Sequence, residues 1–164
     1  MSRSCGRPLI DVTLEGFVVD QSEQKLLSDI QAYGWHAVMI DSDEQGPGWG
    51  FTVGFFHSYR HPEIVITGLK PAVTHQFFRL FSVPIMAGTP YKAGDIVTDV
   101  ASYPFTFVSV PTSFYRDYLG FAMWFYRGAE FPVLQVVWPD KAGRFPWEAG
   151  YDTRYRQPLL FDAP

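Results

Sequence analysis

The chain has 164 residues, 47% hydrophobic and 18% charged, a balance that suits one folded domain over residues 1–164 and excludes a disordered chain. A formal net charge of −4, with no block of lysine and arginine, removes the electrostatic footprint of a nucleic-acid binder. The single cysteine, Cys5, rules out an internal disulfide framework or a cysteine zinc site, and no apolar run approaches the roughly 20 residues that span a bilayer. Met1–Arg7 is not followed by the apolar segment of a signal peptide, so a soluble, cytoplasmic protein is the expectation.

Residues 1–16 carry no strong period, although Leu9, Ile10, Val12 and Leu14 fit a short edge strand. Asp20 and Glu23 form a capping-box pattern, Leu26, Leu27, Ile30 and Tyr33 make one apolar stripe, and Gly34 suits a helix end. A strand is expected at Trp35–Asp41, a loop at Ser42–Gly48 and a second strand at Trp49–Phe56. Asp41, Asp43 and Glu44 lack the spacing of a calcium loop and read as a solvated turn.

Trp49–Phe56 opens the most informative stretch, which runs from Gly48 to Gly68. A polar corner, His57-Ser58-Tyr59-Arg60-His61-Pro62, separates it from a third strand, Glu63–Thr67. Pro71 opens a helix whose Val73, Phe77, Leu80 and Phe81 form a core-facing stripe, and Pro84 is expected to end it. Strands follow at Asp95–Ala101 and Pro104–Val110, a helix at Ser113–Arg127, and a last strand at Phe131–Trp138. The tail from Arg144 reads as irregular but tied down by its aromatics.

Three constellations bear on chemistry. His57 and His61, with Glu63 as a third group, could hold a metal or place a general base; alternatively, His61-Pro62 shapes a turn and His57 bonds the backbone. Ser58 with a histidine and an acid could form a nucleophilic triad, but the Gly-x-Ser-x-Gly elbow is missing and Ser58 fits a turn. Arg127, Asp140, Arg144 and Glu148, near Trp124, Trp138 and Trp147, either clamp an anionic or planar ligand or hold the tail in place. Aromatics reach 18% of the chain, which builds either a core of large side chains or a flat ligand site.

The blocks YGWHAVMI (33–40), GFTVGFFHSYRHPEIVITGL (50–69), YLGFAMWFYRG (118–128) and FPVLQVVWPDKAGRFPWEAGY (131–151), in this order, resemble the bacterial domain of unknown function numbered 4262. The resemblance extends over about residues 31–160, leaves residues 1–20 as an N-terminal extension, and implies no activity. The order of elements is also similar to the opening of flavin-binding split-barrel reductases, an analogy that would put Thr52, Ser58 and Arg60 near a flavin.

The expected fold is a single α+β domain, a mostly antiparallel sheet of five to six strands with three helices and a split-barrel likeness. The leading functional expectation is a non-catalytic module, of accessory or immunity type, that binds a small molecule or a protein partner. A homo-oligomer is compatible with it; nucleic acid and membrane are not expected partners. A flavin-dependent oxidoreductase is the alternative, and a metal-assisted hydrolase the third. Candidate ligand-binding residues are Thr52, His57, Ser58, Arg60, His61 and Glu63 at the corner, with Trp124, Arg127, Trp147 and Glu148.

Overall fold

The computed structural model describes residues 20–162, so the strand expected at Leu9–Leu14 lies outside the described residues. Helix α1 spans Gln21–Tyr33. Its first turn is closed by the predicted capping box: Glu23 N donates to Asp20 Oδ1 at 2.8 Å and Asp20 N to Glu23 Oε1 at 3.0 Å. Strands β1 (His36–Ile40), β2 (Trp49–Val53) and β3 (Glu63–Thr67) form an antiparallel meander. A short helix, α2 (Phe55–Tyr59), is inserted between β2 and β3, and α3 (Pro71–Met86) follows. The second half contains β4 (Ile96–Val97), β5 (Phe105–Ser109), a 3-10 turn at Thr112–Phe114, α4 (Tyr115–Tyr118), α5 (Gly120–Tyr126) and β6 (Val133–Val137).

The six strands make one mixed sheet in the order β1-β2-β3-β6-β5-β4. Among the described strands only β3 and β6 run parallel, with Glu63 opposite Val133, and both are buried at every position. Alternation along the strands sends Val65 and Val133 into a core with α1, α4 and α5. Ile64, Ile66, Leu134 and Val136 point the other way, into a core with α3.

Several expectations change. The sheet is open, so the split-barrel likeness does not hold. The three expected helices become five α-helical segments among the described residues. β2 stops at Val53, because Gly54 turns the chain with φ 119° and the next five residues coil into α2. The expected helix Ser113–Arg127 breaks at Leu119, whose side chain is fully buried while its backbone leaves helical values. There the Tyr118 carbonyl accepts from Trp49 Nε1 at 2.8 Å.

The core-facing side of α3 is Thr74, Phe78, Phe81, Ser82 and Ile85, while Val73 and Leu80 are 41% and 42% exposed. Pro84 lies within its last turn and costs only one intrahelical bond, so the helix continues to Met86. No helix of the described residues is long and apolar enough to cross a membrane.

Candidate functional site

The corner is organised by a carboxylate. Alternation along β3 turns Glu63 to the same side as Val65, at the start of α2, and its side chain is fully buried. Five residues are too few to nucleate a stable helix alone. Glu63 supplies what α2 lacks, accepting from the orphan amides of its first turn: Gly54 N to Oε2 at 2.9 Å, Phe55 N to Oε1 at 3.2 Å and Phe56 N to Oε2 at 3.2 Å. Thr52 Oγ1, on β2, donates to Oε1 at 2.8 Å, and the Tyr126 hydroxyl, at the end of α5, donates to Oε2. Burial pushes the Glu63 carboxyl up to about 7, against the opposing pull of the Tyr126 and Thr52 hydroxyls and the Phe56 and Gly54 amides. Burial and the neighbouring Glu63 charge push the Tyr126 phenol well above its ordinary range.

The other polar groups of the corner serve the fold as well. Ser58 Oγ donates to Gly34 O at 2.7 Å and fastens α2 to the end of α1. His61 is buried, with Nδ1 on Pro62 O at 2.8 Å and Nε2 accepting from Tyr91 N at 3.0 Å. That pair of contacts selects the neutral Nδ1–H tautomer, and burial holds the ring's pKa down. His61 therefore joins the corner to the loop before β4, away from Glu63. His57 is half-buried, its ring edge-on to Phe125 at 5.5 Å, and burial followed by the Arg60 charge lowers its pKa. Arg60 is exposed, with its guanidinium 5.6 Å from the centre of the Phe56 ring. It ends α2 in the left-handed conformation at φ 56°, and Arg127 ends α5 in the same way at φ 59°.

The structure thus brings Thr52 and Glu63 together, and sets His57 and Arg60 on the neighbouring surface where α2 meets α5. Trp124 and Arg127 belong to that side, with α5. Trp147 and Glu148 do not join them. Trp147 stacks on Phe145 at 5.4 Å and meets Phe161 edge-on, and Glu148 accepts from Phe145 N at 2.9 Å. Asp140 is likewise a tail residue, accepting from Ala142, Arg144 and Asp152 amides and from Arg144 Nε at 3.3 Å.

Tyr126 escaped the sequence reading. Its only signal there is a phenol within an apolar helix, and a buried phenol needs a partner. Among the described residues no group of three or more His, Cys, Asp and Glu is placed to hold a metal. Of the three residues the flavin analogy selects, Thr52 and Ser58 have their hydroxyl protons committed to Glu63 and Gly34. An open groove of about 360 Å³ lies beside α1 and β1, lined in part by Lys25, His36 and Phe121 and by none of the predicted site residues.

The model of a family described as a domain of unknown function, DUF4262, matches residues 29–152. The chain belongs to this family. The matched span takes in β1 to β3, α2 to α5 and β6, so the Glu63 cluster and the α2–α5 face both fall inside the family domain. No curated protein and no solved structure matches the chain.

Proposed function

We propose that this family member is a non-catalytic binding module that recognises a protein partner or a small molecule through the face where α2 meets α5. The observation that carries the reading is the division of labour at the corner. Thr52, Ser58, His61 and Glu63 are spent on holding the chain, while Arg60 and His57 stand at the surface against the Phe56 and Phe125 rings. A cation held over a ring beside further aromatic edges suits a ligand with an anionic group and a flat apolar part. Arg60 and Arg127 also adopt backbone conformations that favour glycine, and such conformations gather where function demands a side chain.

Two measurements test the reading. Native mass spectrometry with an absorbance spectrum should give the bare-chain mass and no visible band; a stoichiometric flavin or metal would favour an enzyme instead. Affinity capture with the wild type and Arg60→Ala should differ by a specific ligand lost from the variant, at unchanged melting temperature. Identical retention by both would remove this face as the binding surface.

A further inference from the structure

We propose that Glu63 is a proton-operated latch, fixing the start of α2 to the end of α5 when its carboxylate is ionised and loosening the Tyr126 link when it is protonated. This inference stands whether or not the α2–α5 face binds a ligand. It follows from the direction of every hydrogen in the cluster. Thr52 Oγ1 already accepts from Ile64 N at 3.0 Å, and the Tyr126 hydroxyl accepts from His57 N at 3.1 Å. The single proton of each hydroxyl is directed at Glu63, as are the Gly54, Phe55 and Phe56 amide hydrogens. Five donors converge on two oxygens, and none of these five bonds offers an acceptor to a carboxyl proton.

A proton added to Glu63 must therefore displace a donor's hydrogen, and where a hydroxyl turns to accept the new proton, a charge-assisted bond gives way to a weaker neutral one. The three amides are fixed by the turn at Gly54, and Thr52 is set in β2 between Glu63 and Ile64. Tyr126 is the donor that can rotate its hydroxyl away, because it reaches the site from a separate helix. Displacing it also perturbs the His57 amide, which donates to the same oxygen.

The titratable groups around the carboxyl can be told apart. Tyr126 on α5 and Tyr115 on α4 are phenols raised by burial and by the Glu63 charge, Tyr115 to about 12, so both stay neutral near neutral pH. On α2 itself stands His57, which charges only below its ordinary range, held down by burial and then by the charge of Arg60 at the end of the helix. Burial thus moves the two groups apart, raising Glu63 and lowering His57, so that as the pH falls the carboxyl takes up its proton first.

Amide NMR of the full chain between about pH 8.5 and pH 5 tests the latch. The Gly54, Phe55 and Phe56 signals should move together with one midpoint near neutrality, and exchange of the His57 amide should quicken about tenfold below it. In Tyr126→Phe the midpoint should rise by about one unit, the amount expected when a charged acceptor loses one hydrogen bond. In His57→Gln the midpoint should stay where it is. Flat amide signals in the wild type overturn the proposal, as does a titration that vanishes in His57→Gln. An unmoved midpoint in folded Tyr126→Phe overturns the role of Tyr126. If that variant does not fold, the wild-type titration and the His57→Gln control still decide.

Discussion

Replacing Glu63 with glutamine separates the charge of this side chain from its shape. The folded carboxyl titrates at about 7, above the ordinary 4.5, so the native state holds the proton more tightly than the unfolded chain. Its contribution to stability is then complete below about pH 4.5 and is lost as the pH rises through about 7. At ~1.4 kcal/mol per unit the change is about 3 kcal/mol. Glutamine has no such dependence, but its amide group points hydrogens at donors. With the nitrogen at Oε1, the side that faces fewer donors, the Phe55 amide and the Thr52 hydroxyl lose their acceptor. At about 2 kcal/mol for each buried donor left unpaired, the variant should be less stable than the protonated wild type by about 4 kcal/mol. Urea unfolding should therefore show a gap of about 3 kcal/mol at pH 5, where the unfolded carboxyl is already largely ionised, shrinking to about 1 kcal/mol at pH 8. A gap of the same size at both pH values would show that Glu63 keeps its ordinary acidity inside the fold, and the reasoning would fail.

Other substitutions probe the scaffold around the cluster. Gln135→Leu removes the side chain that bonds Thr67 Oγ1, Pro158 O and Leu160 N, so it should cost about 2–4 kcal/mol and open the tail to limited proteolysis. Gly54→Ala would place a methyl carbon 2.6 Å from Gly34 O at φ 119°, and a loss above about 3 kcal/mol should appear as a steep fall in soluble yield and melting temperature. Leu80→Lys should change stability by less than about 0.5 kcal/mol, while Phe81→Ala should cost about 3–5 kcal/mol, and chemical denaturation of both checks the face of α3. Arg60→Gly should raise stability by about 0.5 kcal/mol, as relief of the left-handed backbone outweighs the contact with Phe56, yet it should abolish ligand capture.

Signals confined to neighbouring residues were legible in the sequence. The capping box of Asp20 and Glu23 and the turn at Gly34 both lie within the local chain, and they bound α1 as read. The strands β1, β3 and β6 follow from short runs rich in Val and Ile. Helix α2 was hidden because its cap comes from Glu63, beyond its own C-terminus, and its sequence FFHSY reads as an aromatic strand end. Phe77 and Phe78 permit two stripes on α3; the core selects the one containing Thr74 and Ser82, which apolar spacing discounts. At the corner Glu63 was singled out for its charge. Its role as an acceptor of backbone amides depends on a turn at Gly54, and its partner Tyr126 lies 63 positions away.

The parallel pairing of β3 with β6 has a consequence for how the chain reaches this fold. The two strands stand side by side at the middle of the sheet, yet their registered residues Glu63 and Val133 are separated by about 70 positions. During synthesis β1, β2 and β3 emerge as a local meander, with one long edge of β3 unpaired until β6 leaves the ribosome. Closing so large a loop makes late docking of β6 the slow event, and the waiting edge is all apolar after Glu63 and Thr67 are set aside. A nascent chain halted before Val133 should therefore be the species that chaperones hold and that aggregates when they are scarce.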